Sequence, residues 1–113
     1  MHRIDVEHEG DAGVVRAHGE LDAFAAPDIT ESFELVSSSP RVVVDFSAVT
    51  FLDSTALGLV IRGVRLLRAR GAGVRVVLPL GTAARIFELT TLDRVLPVSR
   101  SCDEALAELR DYY

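Results

Sequence analysis

Residues 41–71, RVVVDFSAVTFLDSTALGLVIRGVRLLRARG, decide how this chain folds. Val42, Val43 and Val44 are three consecutive β-branched residues. Arg41–Phe46 therefore reads as a central strand buried on both faces, since a half-exposed strand would alternate apolar and polar side chains. A polar turn, Asp53-Ser54-Thr55, comes next. Behind it Leu57, Ile61, Val64 and Leu67 recur at helical spacing, which predicts a helix that lays this stripe on the sheet. Arg68 and Arg70 lie near its C-terminus, where cations are favourable, and Gly71 suits the left-handed cap.

Before this stretch, Ile4-Asp5-Val6-Glu7-His8 alternates apolar and polar residues, and Val14–Gly19 reads as a second strand. Gly10-Asp11-Ala12-Gly13 is the turn between them, so the pair is expected to be an antiparallel hairpin. Gly19-Glu20-Leu21-Asp22 then leaves the sheet. Pro27 and Asp28 suit a first helical turn, and Ile29, Phe33 and Val36 follow at helical spacing until Ser37-Ser38-Ser39-Pro40 ends it. After Gly71, Val74–Leu78 is another buried strand, Thr82–Leu89 a short helix, and Val95–Val98 a last strand at an edge, because Pro97 lacks a donor. Ser101-Cys102-Asp103-Glu104 is a capping-box pattern opening a final helix with Cys102, Ala105, Leu106 and Leu109 inward.

The expected fold is a single α/β domain over residues 1–113, in the order β-β-α-β-α-β-α-β-α. Its sheet is mixed: an N-terminal antiparallel hairpin strand, the remaining strands mainly parallel, and about four helices. In open α/β sheets, sites gather beyond the carboxyl ends of strands. Glu20 and Asp22 follow the second strand, Asp53 and Ser54 the third, and Pro79–Thr82 the fourth. These loops are expected to meet at one end of the sheet.

Composition narrows the function. The net charge of −5 argues against unaided nucleic-acid binding, which needs a basic surface. One cysteine rules out an intrachain disulfide, and no apolar run approaches the roughly 20 residues that span a bilayer. MHRIDVEHEG shows no basic flank followed by an apolar core, so a cytoplasmic protein with no membrane association is expected. The absence of a long exposed edge strand makes a monomer the expected state.

Ser54 admits three readings. Asp53 or Ser54 is the helix N-cap, accepting a hydrogen bond from an orphan amide. A catalytic nucleophile would want a general base and an oxyanion hole. The histidines His2, His8 and His18 all lie in the hairpin region, and no Gly-x-Ser-x-Gly surrounds the serine. No catalytic residue is assigned. The third reading is phosphorylation, which adds roughly −1.5 to −2 charges and three strong acceptors.

Farther along the same helix, Leu59, Gly63 and Leu66 form a second apolar stripe with Arg62 between them. Either a neighbouring helix covers them, or they form an exposed docking face where the bare glycine lets a partner approach. Asp45 resembles a receiver phosphoacceptor only superficially, because the chain has no lysine and begins with a hairpin; a loop-capping role is expected instead. The histidines lack i, i+4 spacing and Cys102 stands alone, so no metal site and no cofactor are expected.

Gly19-Glu20-Leu21-Asp22, Val42–Phe46, Phe51–Gly58 and Arg85-Ile86-Phe87-Glu88-Leu89 together resemble the anti-sigma-factor antagonists, the stand-alone STAS domains. The resemblance covers nearly the whole chain in order, and Asp53-Ser54-Thr55 with Leu57-Gly58 behind it is its most specific part. Ala56 stands where that family more often has Gly, a difference that bears on the tightness of the turn. The resemblance implies a protein that is a substrate and not an enzyme. Its unphosphorylated form would bind an anti-sigma factor that is also a serine kinase, freeing the sigma factor. Phosphorylation of Ser54 would inactivate it, and a PP2C-type phosphatase would restore it. Asp22, Asp53 and Glu20 would border the phosphoacceptor, with Thr55, Leu59, Arg62, Gly63 and Leu66 in the partner-binding surface. Two other roles fit the same fold: an unphosphorylated accessory subunit of a membrane transporter, and a small-ligand or nucleotide sensor.

Overall fold

Val42, Val43 and Val44 are each fully buried, which requires cover on both faces of the strand that carries them. The computed structural model, which describes residues 1–79 and 96–110, supplies that cover. The elements in chain order are β1 (His2–Glu9), β2 (Ala12–Leu21), a 3-10 turn (Ala23–Ala25), α1 (Ala26–Leu35), β3 (Arg41–Leu52), α2 (Ser54–Ala69), β4 (Gly73–Val77), β5 (Val98–Ser99) and α3 (Cys102–Arg110). They form one α/β fold around a five-stranded sheet of order β1-β2-β3-β4-β5. β1 and β2 are antiparallel, and β2 through β5 run parallel.

Successive side chains of a strand point to opposite faces, and the two cores follow from that. Val15, Ala17, Val42 and Val44 join Ile29 of α1 and Val60, Val64 and Leu67 of α2 on one face. Val14, Val43 and Val77 join Ala105 and Leu109 of α3 on the other. Ser101 caps the last helix as expected, the Glu104 amide donating to its Oγ at 3.1 Å, which is one half of the capping box. Gly71 takes the left-handed conformation, φ +96°, at the end of α2. Three α-helices lie among the described residues; the helix expected over Thr82–Leu89 falls outside them.

β3 departs most from the sequence reading. It continues six residues past Phe46 to Leu52, and β2 likewise stays in the sheet to Leu21. The inward residues are Val42, Val44, Phe46, Val49 and Leu52, a spacing of two that twice becomes three. The pairing register slips by one at each of those places, between Arg16 and His18 of β2 and again between Gly19 and Glu20. Each slip is a β-bulge, which puts two residues outward where one is usual: Ser47 with Ala48, then Thr50 with Phe51, all exposed.

Asp45 supports the first bulge. It is not in a loop, as expected from sequence, but within β3 and only 6% exposed. Its Oδ1 accepts from the Ser47 amide at 3.0 Å and the Ser47 hydroxyl at 2.7 Å, and its Oδ2 from Arg16 Nε at 3.2 Å. A buried carboxylate has to be paired in this way, since desolvation disfavours its charge. Arg16 also reaches Glu7 and the sulfur of Cys102. Its guanidinium is held above its usual range, chiefly by the bond to Asp45, and burial pushes the Cys102 thiol up.

Three further expectations are corrected. The core-facing stripe of α2 runs through Ala56, Leu57, Val60, Val64 and Leu67, with Ile61 at its margin. The last strand is Val98–Ser99 and not Val95–Val98; Val95 is outside the described residues, and Pro97 precedes the strand, its carbonyl accepting from the Val76 amide. It does lie at a sheet edge. The other edge is β1, eight residues long, so the chain does have a long edge strand. Arg3, Asp5, Glu7, His8 and Glu9 make that edge charged, a feature that discourages pairing with another chain.

Gly63 also proves to be a packing residue. A Cβ built there would lie 2.7 Å from Phe33 Cδ1, closer than any real contact, so α1 and α2 touch at this bare point. Gly63→Arg is therefore expected to lower the melting temperature by roughly 4–12 °C, through about 1–3 kcal/mol of overpacking. Asp45→Ala, which removes the partner of Arg16 Nε and of the Ser47 amide, is expected to cost about 1–3 kcal/mol in urea unfolding.

Candidate functional site

The site begins with the pairing of two strand ends. β2 and β3 remain parallel to their last residues, Glu20 opposite Phe51 and Leu21 opposite Leu52. One further bond, from the Asp53 amide to the Leu21 carbonyl at 3.0 Å, carries the pairing into the turn. The loops after the two strands therefore leave the sheet side by side.

Each loop opens a helical segment with an aspartate. Asp22 caps the 3-10 turn, its Oδ1 accepting from the Phe24 amide at 3.0 Å. Asp53 caps α2, its Oδ1 accepting from the Ala56 amide at 2.8 Å. The choice left open by the sequence is resolved here: Asp53, not Ser54, is the N-cap. Ser54 becomes the first helical residue and is exposed. Among the described residues its hydroxyl makes no hydrogen bond. The Ala56 and Leu57 amides are satisfied by the side chain and carbonyl of Asp53. Those of Ser54 and Thr55 are the orphan donors that every helix start leaves.

Glu20, Asp22, Asp53, Ser54 and Thr55 thus share one rim. Asp22 and Asp53 bring two carboxylates beside the free hydroxyl at the positive end of a helix dipole, and Glu20 lies just before them, not after β2 but within it, on the side of the sheet opposite the buried Leu21. Of the loop after β4, the described part starts lower. Val77 pairs with Asp45, seven residues before Leu52, and residues 80–82 lie outside the described residues. Leu59, Arg62 and Leu66 continue from the rim down α2, with Leu66 60% exposed. Gly63 lies between them but faces Phe33.

Two residues to which the sequence reading gave no site role lie on the same surface. Phe24 follows Asp22 and is 87% exposed, an unburied ring beside the carboxylates. Gly58 lies one turn after Ser54, and a Cβ built there meets nothing within 4 Å. Glycine inside a helix costs about 1 kcal/mol relative to alanine, and among the described residues no packing contact requires it here. The signal for Gly58 was visible, as a glycine interrupting a helical stripe; that for Phe24 was not, since only the fold shows the ring uncovered.

Among the described residues no three metal-ligating side chains come together, and no helix is long and apolar enough to cross a membrane. His2 bonds Asp28 at 2.6 Å and His18 approaches Asp5 at 3.9 Å, so two of the histidines are engaged with different carboxylates.

The described residues thus form a mixed five-stranded sheet with two helices on one face and one on the other, and an exposed serine at the turn after its central strand. The chain belongs to the STAS domain family, which matches it over residues 3–105. An anti-sigma-B factor antagonist of Listeria monocytogenes is 29% identical over 82 residues, 71% of this chain and 72% of that protein. The crystal structure of an anti-sigma factor antagonist from Mycobacterium paratuberculosis superposes with a TM-score of 0.87 at 33% identity, covering 98% of this chain and 96% of that one. SpoIIAA, an anti-sigma factor antagonist and Bacillus cell fate determinant, shares the fold at 23% identity. Its unphosphorylated form superposes with a TM-score of 0.74 over 96% of both chains, and its phosphorylated form with 0.71 over 94% of this chain and 98% of that one.

The capping assignment has a direct test. Asp53→Ala is expected to destabilise the protein by about 1 kcal/mol, whereas Ser54→Ala should leave the denaturation midpoint within about 0.5 kcal/mol of wild type. The reverse order would make Ser54 the cap.

Proposed function

We propose that this protein is an anti-sigma factor antagonist that works by partner switching, as one STAS domain over residues 1–113, monomeric and cytoplasmic. Unphosphorylated, it binds an anti-sigma factor with serine kinase activity and so releases the sigma factor. Phosphorylation of Ser54 ends that binding, and a PP2C-type phosphatase restores it. The observation that carries this reading is the Ser54 hydroxyl, exposed and unengaged because Asp53 has taken over the cap. The relatives named as anti-sigma factor antagonists support the partner class.

In the transfer, Ser54 Oγ forms a bond to the γ-phosphorus of ATP as the bond to ADP breaks, and its proton passes to a base of the kinase. The product adds roughly −1.5 to −2 charges. Orphan amides at a helix start accommodate an anion, so the fold need not yield. Glu20, Asp22 and Asp53 are already acidic, however, and a partner docked over the rim would face a dianion in addition to their carboxylates. A tenfold loss of affinity takes only about 1.4 kcal/mol. Glu20, Asp22, Asp53 and Thr55 form the rim that the partner covers, and Leu59, Arg62 and Leu66 extend it along α2. Gly63 supports that surface from beneath by letting α1 close on α2. Nothing in this scheme calls on a cofactor or a metal held by this chain.

Incubation with the cognate anti-sigma kinase and ATP is expected to add one phosphate to wild type and none to Ser54→Ala, read by intact mass. Ser54→Asp should bind the kinase about tenfold more weakly or worse. Equal phosphate on wild type and Ser54→Ala would overturn the assignment.

A further inference from the structure

Between α1 and α2 the surface sinks into a groove of about 460 Å³. Phe33 of α1 and Leu59, Gly63 and Leu66 of α2 line it, and Leu66 is 60% exposed. The missing side chain at Gly63 lets α1 close on α2 beneath the groove. Leu59, Gly63 and Leu66 follow i, i+4, i+7 spacing, the row on which a third helix can pack.

The two walls differ in charge. Arg62 lines the α2 side, and Arg65 lies next to it toward solvent. Both are exposed, and among the described residues neither has an ion-pair or hydrogen-bond partner. Arg70 closes one end, its guanidinium spent on the carbonyls of Val36 and Ser39. Glu34 stands on the α1 side. On a chain of net charge −5, unpaired arginines beside an apolar trough reverse the local sign.

We infer that this groove receives an amphipathic helix of the partner, with its apolar stripe on Phe33, Leu59 and Leu66 and an acidic edge along Arg62 and Arg65. Glu34 on the opposite wall sets the orientation, since the acidic edge is repelled there and drawn to α2. The inference rests on the partner-binding reading above and deepens it. Ser54 and Arg62, the nearer of the two arginines, are eight residues apart, about 12 Å along a helix, or about one and a half times the Debye length of about 8 Å at physiological salt. The groove contact is therefore largely screened from the phosphate. The rim carries the switch, while the groove contributes the same contact in both states and does not hold the partner by itself.

Two fluorescein-labelled synthetic helical peptides with the same leucine stripe, one with Glu along an edge and one with Lys there, test this by anisotropy titration of the full chain. The Glu peptide is expected to saturate, with the Lys peptide weaker by about tenfold or more. Arg62→Glu and Leu66→Asp should each weaken the Glu peptide about tenfold, while Ser54→Asp stays within about twofold of wild type. Both groove positions are exposed, and a thermal melt confirms that the variants remain folded.

Absence of saturation, equal affinity for the two peptides, or loss of binding on Ser54→Asp would overturn the inference. So would self-association of the chain in sedimentation, or binding to phosphatidylglycerol vesicles, if Leu66→Asp abolished it; the groove would then belong to a second copy or to lipid. The mass measurement on Ser54 involves no peptide, so failure of the groove and failure of the switch are read separately.

Discussion

The parallel pairing of β2 with β3, carried to the last residue of both strands, is the constraint on which the rest of the structure depends. The bond from the Asp53 amide to the Leu21 carbonyl completes it, and without it the aspartates at positions 22 and 53 would have no reason to be neighbours. The pairing survives over this length only because β3 takes up two extra residues in its bulges. Those residues keep Val49 and Leu52 facing the helices after the strict alternation has failed. Asp45 holds the first of these irregularities, and its burial is tolerated because Arg16 and Ser47 satisfy its oxygens.

At the rim, one residue's commitment leaves another free. Asp53 accepts from the Ala56 amide and so anchors the start of α2, and the adjacent hydroxyl then carries no structural duty. A modifiable serine that was also the cap would couple phosphorylation to fraying of the helix. With the two roles divided, the phosphate proposed for Ser54 would change the charge of the surface while the helix start keeps its own bond. The same economy of contacts extends along α2, where Gly63 serves helix packing and Gly58, one turn after Ser54, is uncovered.

Much of this was legible in the residues themselves. The three valines imply a strand covered on both sides, the alternation before them implies a hairpin, and Ser101 with Glu104 marks a helix start that the fold bears out. The Asp-Ser-Thr turn is located by its polarity between apolar runs. What could not be read depended on contacts distant in sequence. The length of β3 was hidden because bulges break the period of two that marks a strand. Asp45 looked like a loop residue because its partner Arg16 lies 29 positions away. Gly63 could be judged open or covered only once Phe33 was in place against it.

The chain's own order of residues determined the elements, their sequence and the chemistry on offer: a serine behind an aspartate at a helix start, acidic neighbours, and an arginine-bearing helix. Such properties are local, since propensity, capping and periodicity act over a few residues. Whether the aspartate or the serine caps, which hydroxyl stays free, and which apolar side chains remain uncovered were decided by the folded structure. Those outcomes turn on which distant groups reach a given atom first, and a hydrogen bond or a buried face, once taken by one partner, is closed to the others.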